Sequence, residues 1–192
     1  MGWTYTTRPS GQSIRDFFAE EFRHGDDASV VDCASRLREA YIAYRTKRGA
    51  IIAIACLLEH KPFRGYNLGY KDMDEGMGPG ICRCPARILD LLSPVEEYFE
   101  GQALEWARCW REWCRAWNAK MESARAVGAG TLVKFKAPIQ FGDWGAFDTF
   151  KRLKDLRYPG RLFRDRFLEI TQNVVVRLPG WREREFEIVK GG

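Results

Sequence analysis

Histidine is scarce in this sequence, and that scarcity narrows the chemistry open to the protein. The chain of 192 residues contains two histidines, His24 and His60. Because His-rich metal centres and Ser-His-Asp triads depend on imidazole groups, the sequence argues against both. A Walker loop, a paired Cys-x-x-Cys and a His-Glu-x-x-His sequence are also missing. No common motif for nucleotide hydrolysis, thiol redox chemistry or zinc proteolysis is therefore present.

Long apolar runs are missing too. The longest, from Ala50 to Leu58, is well below the roughly 18 residues that a membrane-spanning helix needs, and we expect it to form a buried strand. The opening MGWTYTTRPS has no basic region followed by an apolar stretch, so a secretory signal is not expected. Six cysteines in such a chain indicate reduced thiols. These features predict a cytoplasmic protein that does not contact membranes.

The chain does contain ample apolar and aromatic material, 45% and 14% of its residues. Four apolar residues recur at helical spacing after the potential cap Ser13: Ile14, Phe17, Phe18 and Phe22. Residues 30–61 are rich in β-branched and aromatic side chains, with a hairpin connection at residues 46–49, and a third strand is expected at 65–71. We therefore predict an α+β fold in which an N-terminal helix packs on an antiparallel sheet.

A long helix is expected in the middle of the chain. Ser93 to Glu96 form a capping box with proline at the first helical position, which predicts a helix from Pro94 to Ala126 that is about 48 Å long. One stripe of this helix contains the following residues: Phe99, Ala103, Trp106, Trp110, Trp113, Trp117 and Met121. Aromatic stripes of this kind are typical of a core or a protein interface, and we predict that this one packs in the core.

The end of the chain predicts a small β module. Residues 126–130 end the helix as a linker, and Pro179-Gly180 suggests a turn that pairs residues 173–178 with 182–189 in a terminal hairpin. We expect a helix-on-sheet portion at residues 1–127 and a basic β module at 131–192, with one continuous domain as the alternative.

The positive charge is concentrated in that module. Residues 1–130 contain 18 basic and 18 acidic groups, whereas residues 131–192 contain 13 and 8, which accounts for the whole net charge of +5. Cations interleaved with aromatic residues are typical of a surface that attracts phosphates and stacks on bases. The alternative is a basic loop exposed to solvent. The residues predicted to bind nucleic acid or a protein partner are Lys151, Arg152, Lys154, Arg157, Tyr158, Arg161, Arg164 and Arg166.

Residues 67–85, NLGYKDMDEGMGPGICRCP, contain the densest group of chemically versatile side chains. Three carboxylates are candidates for a Mg²⁺ or Ca²⁺ site or for acid–base catalysis: Asp72, Asp74 and Glu75. Cys82 and Cys84 are weak candidates for half of a thiolate zinc site, because no second cysteine pair of that kind accompanies them. The residues therefore favour a protein without a resident metal.

A structured turn is the favoured interpretation of this segment. Gly76, Gly78 and Gly80 permit positive φ and a sharp turn, and Pro79 stiffens it. In this interpretation the carboxylates bind backbone N–H groups or two nearby arginines, which are Arg83 and Arg87.

Three parts of the sequence carry a family resemblance. They are the opening MGWTY, the block GYNLGYKDMDEGMGP with the CP that follows it, and the closing LPGWREREFEIV. With these parts the chain resembles a functionally uncharacterised bacterial family that is often carried on plasmids, phages and other mobile elements. The resemblance implies a bacterial cytoplasmic setting and an accessory role, such as counteracting a host defence. It implies no activity, cofactor or catalytic residue.

The favoured hypothesis is a non-enzymatic binding protein of mobile-element origin that needs no cofactor. Its partner would be nucleic acid or a host complex that handles nucleic acid, as expected of an anti-defence factor. The alternative is a small hydrolase or nuclease that depends on a divalent metal and uses Asp72, Asp74 and Glu75. A DNA mimic is disfavoured, because the net charge of +5 is opposite in sign to the acidic surface that mimicry requires.

Overall fold

The computed structural model describes residues 2–23, 29–60, 63–78, 80–159 and 161–189. The chain divides into two compact units, residues 1–118 and 119–192, each of which contains its own antiparallel sheet. The predicted α+β fold, with one long helix and a C-terminal β module, is confirmed. Within the described ranges, no helix combines the length and the apolarity that crossing a bilayer requires.

The first unit is built on a five-stranded sheet in the order β1-β5-β4-β3-β2. Its strands are β1 (Thr4–Thr6), β2 (Ser29–Arg36), β3 (Glu39–Arg45), β4 (Ile51–Glu59) and β5 (Leu68–Asp74). The predicted hairpin connection between β3 and β4 is confirmed, because Gly49 donates its N–H to the Thr46 carbonyl at 2.9 Å. Gly49 has φ +88°, a conformation that favours glycine. The hairpin thus follows from its local turn residues.

Helix α1 (Ile14–Glu21) covers one face of this sheet. Ser13 caps it by accepting a hydrogen bond from the Asp16 N–H at 3.0 Å, as the sequence predicted. Three phenylalanines pack with Tyr70 in the cluster beneath the helix: Phe17, Phe18 and Phe22. Burial of each such ring typically contributes about 1.5–3 kcal/mol, so the apolar stripe anchors α1 to the sheet.

The opposite face of the sheet packs against α2 (Ala86–Leu89) and α3 (Gly101–Arg125). Trp110 of α3 is 1% exposed, and its indole N–H donates to the Ile81 carbonyl at 2.8 Å. The predicted core stripe is nevertheless wrong in part, because Trp106 and Trp113 keep 38% and 52% of their surface exposed. The buried line of the helix runs instead through Ala107, Trp110 and Cys114, which are spaced to meet the sheet along one narrow contact.

Helix α3 begins at Gly101 rather than at Pro94, so the predicted capping box is wrong. The Ser93 hydroxyl accepts a hydrogen bond from the Ile51 N–H at 3.0 Å, and the Ser93 N–H donates to the Ile51 carbonyl at 2.9 Å. These bonds to β4 use the side chain that would otherwise cap a helix. Residues Val95–Glu97 form a single 3-10 turn, and the 25 residues of α3 span about 38 Å.

The division between the two units falls inside α3. Ala124, at the end of that helix, is part of the core of the second unit. The two domains predicted at residues 1–127 and 131–192 remain a prediction.

The second unit contains a five-stranded sheet in the order β11-β10-β7-β6-β12 and a separate two-stranded ribbon, β8-β9. Its strands are β6 (Leu132–Gln140), β7 (Ala146–Arg152), β8 (Leu156–Tyr158), β9 (Arg161–Phe163), β10 (Arg166–Glu169), β11 (Val174–Arg177) and β12 (Phe186–Val189). The core under the sheet is rich in aromatic rings, with Phe135, Phe150, Phe167 and Trp181 all buried.

The predicted terminal hairpin is wrong. Strand β11 pairs with β10, whereas β12 pairs with β6 at the other edge of the sheet. After Gly180 the chain enters a 3-10 turn, Trp181–Glu183, in which Trp181 is fully buried. The Trp181 indole N–H donates to Asp165 Oδ1 at 2.9 Å. Burial of this large ring in the core anchors the chain between β11 and β12, and β12 then pairs with β6 at the opposite edge.

Candidate functional site

Asp72 and Asp74 lie on one face of β5, as an Asp-x-Asp sequence in a strand predicts. They pair with Cys56 and Ile54 of β4, which belong to the cluster under α1. Asp74 Oδ1 accepts a hydrogen bond at 2.9 Å from the backbone N–H two residues later and caps the 3-10 turn Glu75–Met77. Burial raises the pKa of the Asp74 carboxyl, an effect that the amide hydrogen bonds oppose. Asp74 therefore shapes the turn.

Glu75 is buried beside α3, where it forms an ion pair with Arg111. Arg111 donates from Nε to Glu75 Oε2 at 2.5 Å and from Nη2 to Oε1 at 2.8 Å. The Ala53 N–H also donates to Oε1 at 3.1 Å, while Arg111 Nη1 donates to the Ser93 carbonyl at 2.7 Å. Both carboxylate oxygens are thus occupied by protein donors. This arrangement holds the turn against α3 and β4.

The glycines of the turn serve two different purposes. Gly78 has φ +102°, which supports the predicted sharp turn. A Cβ atom at Gly76, however, would lie 2.5 Å from Phe99 Cε1, so close packing rather than backbone conformation requires glycine there. Pro79, which the sequence predicts to stiffen the turn, lies outside the described residues.

The arginine that pairs with the acidic segment is one that the sequence analysis missed. Arg83 and Arg87 were the predicted partners, but Arg87 donates to Asp32 and to the Cys33 carbonyl. Glu75 is paired with Arg111. Its position between two buried residues of α3, Trp110 and Cys114, was the one available indication that it faces inward.

Cys82 and Cys84 lie between the turn and α2, in the core on the α3 side of the sheet. Asn118 Nδ2 donates to the carbonyls of Cys84 and Cys114 at 2.8 and 2.9 Å, which joins this loop to the helix. Burial raises the pKa of the Cys82 and Cys84 thiols and raises that of Cys114 to about 12. Among the residues that the structure describes, no three or more His, Cys, Asp or Glu side chains are grouped to hold a metal ion.

The structure separates the predicted basic residues into buried and exposed groups. Arg152 is buried, and its Nη1 donates to the carbonyls of Leu153 and Arg166 at 2.7 and 3.0 Å. Its Nη2 donates to Asp155 Oδ1 at 2.8 Å. Arg152 therefore fastens the loop after β7 to the sheet, and its guanidinium is not available to a ligand.

The remaining cations are more accessible. Arg166 is half-buried, and its Nη1 donates to the Lys154 carbonyl at 3.0 Å. The other five side chains are exposed: Lys151, Lys154, Arg157, Arg161 and Arg164. None of these five forms an ion pair within 4 Å of a carboxylate in the described part of the chain. Their charges therefore face solvent.

Strands β8 and β9 carry two of these cations on a ribbon separate from the five-stranded sheet. Arg157 pairs with Leu162, and Tyr158 pairs with Arg161. Because paired residues share a face and successive residues alternate, Arg157 and Arg161 lie on opposite faces of the ribbon. The Arg161 guanidinium is 4.8 Å from the ring centroid of Phe163, within cation–π range. The side chain of Tyr158, a predicted stacking residue, lies outside what the structure describes.

One comparison with known proteins finds a match. A domain of unknown function, DUF6927, matches residues 102–181. The matched segment begins in α3 and includes the β8-β9 ribbon, whereas the opening MGWTY and the acidic block precede it. No curated protein and no solved structure matches the chain. The match connects this segment to an uncharacterised family and carries no activity to it.

Proposed function

We propose that the second unit binds nucleic acid through the β8-β9 ribbon and the exposed cations beside it. The observation that carries the proposal is the group of five exposed basic side chains between residues 151 and 164, none paired with a described carboxylate. A ligand with closely spaced phosphates is complementary in charge to this group of cations. Each contact between a cation and a phosphate also releases condensed counterions, which favours binding. The excess of 13 basic over 8 acidic groups in residues 131–192 favours the same class of ligand.

The shape of the ribbon supports the same conclusion. The major groove of B-DNA is about 12 Å wide and admits a two-stranded β-ribbon. Arg157 and Arg161 on opposite faces would reach phosphates on both sides of such a groove. Phe163, on the same face as Arg161, adds an aromatic ring of the kind that stacks on bases in single strands.

Two of the three carboxylates of the alternative hydrolase already have structural partners. Glu75 is held by Arg111, and Asp74 caps its own turn. The bacterial mobile-element origin and the anti-defence role rest on the family resemblance alone. A host complex that handles nucleic acid is compatible with the same basic surface, and the experiment below distinguishes it from direct binding.

Fluorescence anisotropy with labelled single-stranded DNA, duplex DNA and RNA tests the proposal. We expect binding at low salt that weakens steeply as salt is added. The double variant Arg157→Gln/Arg161→Gln should bind more weakly, and its slope of log K against log salt on duplex DNA should be less negative by about 1.8, that is, about 0.9 for each lost phosphate contact.

A matched control removes equal charge elsewhere. Lys47→Gln/Arg48→Gln changes two exposed cations in the β3–β4 turn and should leave both affinity and slope unchanged. An equal effect of the two double variants would show that net charge alone drives binding. If the wild-type protein binds none of the three nucleic acids at low salt, direct binding is wrong, and the excess charge is either a solubility feature or a docking patch for an acidic protein.

A further inference from the structure

The first unit contains a cavity that the nucleic-acid proposal does not use. It lies where β2 turns into β3 and where β4 ends, and its volume is about 870 Å³. The Leu58 N–H donates to the Arg38 carbonyl at 2.9 Å, which ties the β2–β3 turn to β4 beside the cavity. Small-molecule sites typically measure about 300–1,000 Å³, so this cavity is of ligand size.

Half of the ten lining residues are apolar, and three of these five are exposed. Leu58 is buried and Ile14 of α1 half-buried, whereas Leu57, Trp3 and Leu37 have exposed fractions of 37%, 43% and 86%. A single exposed apolar side chain is common on protein surfaces. Three such side chains around one cavity, however, form an apolar surface that a ligand would cover.

The polar lining is predominantly basic. Arg36 and Arg38 line the cavity together with His60, and Glu59 is the one carboxylate among its lining residues. Neither arginine forms an ion pair with a carboxylate in the portion of the chain that the structure describes. The Arg36 guanidinium lies 4.3 Å from the ring centroid of Trp117, which restricts where its charge sits. A half-apolar lining with two guanidinium groups that form no ion pair with a described carboxylate is complementary to an anion that has an apolar body.

We propose that this cavity binds a small organic anion made of an apolar body and one carboxylate, sulfonate or phosphate head. The leucines, Ile14 and Trp3 cover the body, and Arg36 and Arg38 bind the head. The proposal is independent of nucleic-acid binding, because every lining residue belongs to the first unit.

A pair of fluorescent probes separates the two halves of the proposal. 8-Anilinonaphthalene-1-sulfonate has an apolar body and an anionic head, whereas N-phenyl-1-naphthylamine has the same body without the charge. We expect about one sulfonate probe to bind per chain. Arg36→Gln/Arg38→Gln should weaken the sulfonate probe about tenfold or more, the usual effect of losing charge-assisted hydrogen bonds, and leave the neutral probe almost unchanged. Leu37→Ser should weaken both probes.

Matched controls are available in the same unit. Arg48→Gln removes an exposed cation, and Leu91→Ser an exposed leucine, away from the cavity, so neither should alter binding. Circular dichroism verifies that each variant is folded. Displacement of the sulfonate probe by octanoate would indicate a site that binds carboxylates, and displacement by phenyl phosphate a site that binds phosphates. Equal losses in the cavity and control variants would overturn the proposal, and displacement by neither anion would overturn its carboxylate and phosphate forms.

Discussion

Replacing Glu75 by glutamine should strongly destabilise the first unit, because it leaves Arg111 as a buried cation without a counter-ion. Glutamine has nearly the size of glutamate, so the change removes charge without opening a cavity. Removing one partner of a buried ion pair typically costs about 3–5 kcal/mol, and the bidentate geometry with distances of 2.5 and 2.8 Å places this pair among the strong ones. We expect a loss within that range.

A double-mutant cycle shows whether the loss comes from the uncompensated charge. Arg111→Met removes the cation, and the double variant Glu75→Gln/Arg111→Met should lose less than the sum of the single variants by about 0.5–3 kcal/mol. The glutamine carbonyl can still accept the hydrogen bond from the Ala53 N–H, so that group keeps a partner in the double variant. Coupling of this sign would identify the ion pair as the source of the effect.

Urea unfolding followed by tryptophan fluorescence and far-UV circular dichroism measures these free energies. The fit should allow two transitions, because the chain has two compact units. Glu105→Gln is the matched control, since Glu105 pairs with Arg108 on the exposed face of α3 and should change stability by less than about 1 kcal/mol. A Glu75→Gln loss no larger than that of the control would refute the buried pair.

Two further predictions concern α3 and the cysteines. Trp110→Ala should cost about 3–5 kcal/mol in the same unfolding assay, whereas Trp113→Ala, at an exposed position, should stay within about 0.5 kcal/mol; equal losses would mean that both rings are buried. Near pH 7.5, a thiol-reactive aromatic disulfide should react rapidly with the exposed Cys109 and slowly with the five other cysteines. Burial raises the pKa of Cys33 to about 11 and that of Cys114 to about 12, so their thiolate fraction stays small until the pH approaches those values. Cys109→Ser should abolish the rapid phase, and a rapid phase that persists in this variant would contradict the assignment.

The elements that the sequence predicted well depend on neighbouring residues. Ser13 caps α1 through a residue three positions away, and the turn at residues 46–49 joins strands that are adjacent along the chain. Interactions of this kind are complete within a short segment, so their patterns are visible without the fold.

The predictions that failed involve groups with more than one suitable partner. Ser93 had the sequence of a helix cap, but its hydroxyl binds the backbone of β4, 42 residues away. The segment after Pro179-Gly180 had the alternation of a hairpin strand, but burial of Trp181 directs it to the opposite sheet edge. Local patterns show that such groups need partners and leave the choice of partner open.

The candidate sites also have some properties that the sequence predicts and others that only the fold determines. The concentration of positive charge in residues 131–192 is a property of composition, and the sequence located it without any knowledge of the fold. Composition could not show that Arg152 is buried or that Arg157 and Arg161 lie on opposite faces of a ribbon. It also could not pair Glu75 with Arg111 or collect the lining of the cavity from α1, β4 and the β2–β3 turn. Periodicity and helix caps depend on residues that are close together in the chain, and net charge is a sum over residues, so the sequence alone determines them. Burial and ion pairing depend on which distant segments pack against each other, and only the tertiary structure determines that.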